Sequence, residues 1–231
     1  EDKDIFGGEL DNTILKDQLN LMRVGEPMYV FYGYVEDGYD ENGHIVYKNM
    51  DDDPAITAAD KTIIGDPNPD FLVNLTTAVS YKGFTLSAFF QSSIGNDIYS
   101  LSMAAQAYDY GYNGNTLREV YYNHWTPENP TAKYPNLDQT SYKMSDRFVY
   151  DGSFVRLKNL ELAYDVPCAR SKFIKRARVY VSAQNLFTIT SYPFWDPDIN
   201  ANGGGSSMIQ GVDSYCYPSA RTYTIGCRLT F

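Results

Sequence analysis

The ten residues from Thr222 to Phe231 constrain the fold most. Tyr223, Ile225, Cys227, Leu229 and Phe231 fall on one face when read in twos, and Thr222, Thr224, Gly226, Arg228 and Thr230 on the other. Strict alternation specifies a strand with one apolar and one polar face. About 9–11 residues is also the length a tilted strand needs to cross a bilayer. The same pattern suits a strand half-buried in a soluble β-sandwich. An aromatic at position 231 has a reason to be there when the apolar face meets lipid.

The pattern recurs upstream. Val73, Leu75, Thr77, Val79 and Tyr81 alternate with Asn74, Thr76, Ala78 and Ser80. Lys82-Gly83 forms a minimal turn, and Phe84, Leu86, Ala88 and Phe90 return. Ser153–Tyr164 reads as a further strand, with a phase slip between Leu157 and Leu160 that suggests a bulge or a membrane boundary. Val179, Val181 and Ala183 alternate with Tyr180, Ser182 and Gln184 in another. Short connections (Lys82-Gly83 and Asp165–Ala177) alternate with long ones (Ser92–Asp151 and Ser191–Ala220). That rhythm is expected of an up-and-down membrane barrel, with short turns at one rim and long loops at the other. Five spanning strands are too few to close a barrel. With a start at Glu1 and no initiator methionine, they lead us to expect a piece of a longer chain.

The remaining segments are less regular. Residues 1–24 carry a weak helical pattern through Ile14, Leu15, Leu19 and Met22. Met28–Val35 reads as a short aromatic strand. Asn42-Gly43 and Asp37-Gly38 are turn signals, with His44–Lys48 as the return of a small hairpin. Ile98–Ala107 and Leu117–Trp125 read as short helices, ended by Pro127 and Pro130. The run Asn202–Ser206 reads as flexible.

Composition excludes several functions. A net charge of −10 argues against nucleic acid as a partner, since that requires a basic patch. No run of roughly 18 apolar residues offers a membrane-spanning helix. Twenty-one tyrosines, twelve phenylalanines and two tryptophans suit sheets and interfacial girdles. Cys168, Cys216 and Cys227 have no metal-ligand spacing, and Cys227 lies on an apolar face as a small hydrophobe. No cofactor motif and no catalytic constellation is found. Asp196 with Asp198, or Glu36 with Asp37, could be paired as glycosidase carboxylates, but loop carboxylates this close are ordinary turn formers. Asp51, Asp53 and Asp60 are weak metal candidates, because Pro54 interrupts the spacing of a calcium loop. Trp125, Tyr192, Phe194, Trp195 and Asp196 are the candidates for ligand contact, with loop packing or interfacial anchoring as the alternative for each aromatic.

Several longer runs resemble one family. They are Ile64-Gly65-Asp66-Pro67-Asn68-Pro69-Asp70-Phe71, Tyr81-Lys82-Gly83-Phe84, Gly95-Asn96-Asp97-Ile98-Tyr99 and Trp125-Thr126-Pro127-Glu128-Asn129-Pro130. The run from Ser145 to Leu160, Val179–Phe187 and the ending from Tyr217 to Gly226 continue the likeness in colinear order. Together they are similar to the SusC/RagA-type TonB-linked outer-membrane transporters of Bacteroidetes. The acidic loop lacks the glycine-centred Asp/Asn pattern of many relatives, and Tyr192–Asp198 is more aromatic than usual.

The resemblance implies an all-β fold, the C-terminal part of a plugged transmembrane β-barrel of about 22 strands, with short helices in its extracellular loops. Residues 1–70 would form an extracellular loop region with a small hairpin, and residues 71–231 the C-terminal strands and their loops. The implied function is uptake of nutrient oligomers, glycans or peptides, across the outer membrane. The implied partners are TonB, acting upstream of Glu1, a SusD-like surface lipoprotein, and outer-membrane lipid. A secreted glycan-binding β-sandwich is the alternative.

Overall fold

In a computed structural model, residues 4–7, 10–11, 16–108, 115–168, 173–199 and 209–231 are described. Ile14, Leu15 and the run Asn202–Ser206 lie outside the described residues. The chain divides into two compact units. One comprises Pro69–Gly95, Gly152–Asp198 and Tyr217–Phe231, the other Glu1–Asn68, Asn96–Asp151 and Ile199–Cys216.

The first unit is a five-stranded antiparallel sheet. Its strands are β1 (Phe71–Tyr81), β2 (Phe84–Ile94), β3 (Phe154–Val166), β4 (Arg176–Thr190) and β5 (Thr222–Thr230). They lie in chain order, each paired with its sequence neighbour. Lys82 at φ 46° and Gly83 at φ 87° make the two-residue turn between β1 and β2. Two successive left-handed residues give the turn whose twist matches its strands.

Register fixes the faces. Tyr81, Phe84, Tyr164, Val179 and Cys227 form one cross-strand row, and Val79, Leu86, Leu162, Val181 and Ile225 form the row two residues along. The intervening row is Ser80, Thr85, Ala163, Tyr180 and Gly226. Directly opposed residues share a face and neighbours along a strand do not. One face is therefore apolar across all five strands, and it is bare: Ile225 is 86% exposed and Val79 65%. Leu72 is an apolar exception on the polar face.

The phase slip expected near Leu157 is a bulge. Between Leu157 and Asn159 the partner in β4 jumps from Phe187 to Gln184, and the partner in β2 moves only from Phe90 to Phe89. Lys158 is thus the extra residue relative to β2, and Asn185, at φ 51°, takes the left-handed conformation that asparagine tolerates.

The second unit is built from short pieces. Asn20–Met22 pairs with Ile5–Phe6 on one side and Val30–Gly33 on the other. The helical reading of residues 1–24 is therefore wrong for the described residues. Leu19 and Leu21 are fully buried beside Val30 and Phe31, and this strand pairing overrides a weak local helical pattern. The hairpin return Ile45–Tyr47 pairs with Glu36–Tyr39 rather than with the aromatic strand before it, and Asp37-Gly38 lies within that pairing.

Asp97–Ser100 is a strand, antiparallel to Val149–Asp151 and parallel to Val212–Asp213, and only Leu101–Tyr108 is helical. Ile98 and Tyr99 are buried there, with Tyr99 edge-on to Phe31. The expected helix to Trp125 stops at Tyr122, because Trp125 N donates to Tyr134 O and Tyr134 N to Asn123 O. No helix among the described residues is long and apolar enough to cross a membrane, which says nothing of strands.

Candidate functional site

Arg156 occupies a polar-face position of β3, between Val155 and Leu157 on the apolar face. It is 1% exposed. Its Nε donates to Oγ1 of Thr188, the residue opposite in β4, at 2.9 Å. Nη1 donates to Asp198 Oδ2 and Ser219 Oγ, each at 3.2 Å, and Nη2 to Asp196 Oδ1. The guanidinium also lies over the Phe154 ring, 5.2 Å from its centroid.

Asp196 is 7% exposed and fully engaged. Oδ1 also accepts from Asp198 N and Oδ2 from Ser219 N, both at 2.9 Å. Burial pushes the Asp196 carboxyl up, but the Ser219 and Asp198 amides and the Arg156 guanidinium outweigh it and hold the group below the usual carboxylate range. One buried cation thus ties both ends of the loop between β4 and β5 to the sheet. The arrangement is a clamp and leaves no free carboxylate for acid–base work.

Beside the clamp lies a cavity of about 360 Å³, lined by Arg156, Thr188, Trp195, Asp196, Ser219 and Arg221 among others. Trp195 is 57% exposed and stacks on Phe194, with centroids 4.8 Å apart and planes at 16°. This stacked pair presents an aromatic face at the rim. Tyr192 is 4% exposed, so its ring is buried and offers no free face. Of the sequence candidates, Phe194, Trp195 and Asp196 are thus brought together, with Trp195 the exposed one.

Trp125 belongs to the other unit, where its ring covers Gly43. A Cβ at Gly43 would stand 2.3 Å from that ring, and Gly43 has φ +79°. Gly43→Ala therefore meets both a steric overlap and left-handed strain of about 1–2 kcal/mol. Gly38 has φ +98° and nothing within 4 Å, so Gly38→Ala carries only the strain. Thermal unfolding should show Gly43→Ala to be the more damaging by over 1 kcal/mol, with a shift in tryptophan emission that Gly38→Ala lacks. Equal losses would refute the packing role of Trp125.

The acidic loop organises itself. Asp60 is buried and accepts from Met50 N and Thr57 N, both at 2.7 Å. These two amides hold its carboxyl below the ordinary range. Asp51 and Asp53 are exposed and accept from Asp53 N and Ala55 N. No group of three ligating side chains converges among the described residues. Glu36 is likewise occupied, by Ser145 and Arg147.

Arg156 was not among the sequence candidates. Its only signal there is a charge on the polar face of a spanning strand.

No family model matches the chain. TonB-dependent receptor P3 of Formosa agariphila is 32% identical over 249 residues, which cover 99% of this chain and 24% of that protein. TonB-dependent receptor SusC of Bacteroides thetaiotaomicron is 30% identical over 215 residues, 90% of this chain and 20% of that protein. Among solved structures, the RagAB peptide transporter superposes with a TM-score of 0.77 at 26% identity, over 92% of this chain and 24% of that one. The chain is of the SusC/RagA type. It spans about a quarter or less of the length of these relatives. The SusC/RagA likeness makes the five-stranded sheet part of a β-barrel. The matched proteins are named TonB-dependent receptors and a peptide transporter.

Proposed function

We propose that this chain is part of the wall of an outer-membrane transporter that takes up nutrient oligomers by TonB-dependent transport. The bare apolar face spanning all five strands carries the reading. An exposed apolar area this continuous is an aggregation hazard in water and the normal condition of a barrel in lipid. The polar face then lines the lumen. The free ladder edges of β1 and β5 among the described residues call for further strands on both sides.

In this reading residues 71–231 supply C-terminal strands and loops, and residues 1–70 an extracellular region with its hairpin. The long connections between β2 and β3 and between β4 and β5 lie outside the cell. Trp195, stacked on Phe194, is the foremost contact for cargo or partner there, since an exposed aromatic face suits a sugar ring or a peptide side chain. The similar RagAB structure is that of a peptide transporter, which supports oligopeptide cargo; glycan cargo is the other member of the class. A SusD-like lipoprotein on the outer loops and TonB on the inner side complete the assembly.

The test is purification of the full-length protein from outer membranes in detergent, with mass spectrometry of every co-purifying chain. The expected result is a chain several times longer than this one, with a lipoprotein in near-equal amount. A free-standing soluble species of this length, without partners, would contradict the proposal.

A further inference from the structure

The cavity beside the clamp holds one cation without a carboxylate. Arg156 and Thr188, which line it, stand on the polar face of the sheet, the lumen side in the reading above. The two carboxylates at the clamp are both occupied. Asp196 is held by Arg156 and two amides, and Asp198 by Arg156 at 3.2 Å and Lys158 at 3.6 Å. Arg221 also lines the cavity. It is exposed and forms no ion pair among the described residues. All of these residues belong to one compact unit. An unpaired guanidinium beside neutralised carboxylates is a site for an anion, and its planar fork matches a carboxylate.

The size and the wall of the cavity narrow the ligand. About 360 Å³ is at the small end of ligand pockets, so it takes the end unit of an oligomer rather than the oligomer. Pro197, Pro218 and the exposed Trp195 give it apolar surface. Its hydrogen-bonding side chains are engaged with one another or with the backbone. Thr188 and Ser219 accept from Arg156, Thr190 Oγ1 donates to Ser153 O, and Asn185 Nδ2 donates to Ala220 O. Asn185 Oδ1 has no partner, but it is sealed from solvent. An acidic sugar would bring several hydroxyls that find few partners here, at a desolvation cost for each. The last residue of a peptide brings one carboxylate, with a side chain on the adjacent carbon that can lie on an aromatic face.

We propose that this cavity binds the C-terminal residue of an oligopeptide cargo, with its carboxylate on Arg221 and its side chain against Trp195. The inference rests on the transporter reading above and deepens it by assigning the part of the cargo that is recognised. Arg156 is a positioning residue in this site. It holds Asp196, next to Trp195, and Ser219, two residues before Arg221, so one buried cation sets both ligand contacts.

The experiment uses the full-length protein with its co-purifying chains, shown first to be membrane-inserted, so that failure of the transporter reading is seen separately. The probe is a radiolabelled alanine hexapeptide ending in leucine, as the free acid and as the C-terminal amide, and equilibrium binding is measured in detergent. The free acid should bind about tenfold or more tighter than the amide. Arg221→Gln should bring the free acid to the level of the amide and leave the amide unchanged. Trp195→Ala should weaken both and keep their ratio. Equal binding of acid and amide by the wild type, no binding of either, or a preference that survives Arg221→Gln overturns the proposal. Displacement of the free acid by an equal concentration of oligogalacturonate also overturns it, by assigning the cavity to an acidic sugar.

Discussion

Arg156→Ala should destabilise the sheet by about 3–5 kcal/mol, because it strands a buried carboxylate without its cation. Asp196 is nearly inaccessible, and its loop is fixed through Arg156 to Thr188 and Ser219. Asp196→Asn should cost less, about 1.5–3 kcal/mol, since it removes a charge-assisted bond but leaves a neutral acceptor for the loop amides. The pH dependence has a definite sign. The folded Asp196 carboxyl is depressed relative to its unfolded value, so its contribution is complete above pH 3.8, the ordinary value, and is lost as pH falls through the folded value. Acid unfolding of the refolded full-length protein should therefore be shallower in Arg156→Ala than in the wild type. A variant as stable as the wild type, with the same acid profile, would mean that the clamp is idle.

Ile225→Arg is the second large effect. Ile225 stands near the middle of β5 on the apolar face and is among the most exposed hydrophobic residues of the sheet. An arginine on the lipid face costs about 2–4 kcal/mol at mid-bilayer depth. Thr224→Arg, one residue away on the polar face opposite Ser182, should stay within about 1 kcal/mol of the wild type. Folding into vesicles, followed by denaturant titration, measures both. Equal penalties would mean that the two faces see the same medium. A smaller penalty at Ile225 than at Thr224 would invert the assignment of lipid and lumen.

The sheet was legible because a period of two is a strong and local signal. Val73–Tyr81 and Thr222–Phe231 alternate without interruption, and the Lys82-Gly83 turn fixes the register of the first pair. Even the Leu157 bulge left a trace, as a break in phase. The segments that misled are those where packing decides. Residues 20–22 pair as a strand because Val30 and Phe31 lie beside them in space. Ile98 and Tyr99 extend because Val149, Tyr150 and Val212 flank them.

The site was legible only in part. Phe194 and Trp195 could be picked out as loop aromatics, but burial alone separates Trp195 from Tyr192. Asp196 looks like a ligand residue in sequence, because its cation lies forty positions away in another strand.

The central claim is that the face bearing Tyr223, Ile225, Cys227 and Leu229 meets lipid and the face bearing Thr224 and Arg228 meets water. Spin labels placed one at a time along β5 of the full-length protein in vesicles test it directly. The measurement is relaxation by oxygen, which partitions into lipid, against relaxation by a polar nickel chelate. The account predicts a period of two, with oxygen favoured at 223, 225, 227 and 229 and the chelate favoured at 224 and 228. A profile without that period, or oxygen-favoured contact at 228, would contradict it.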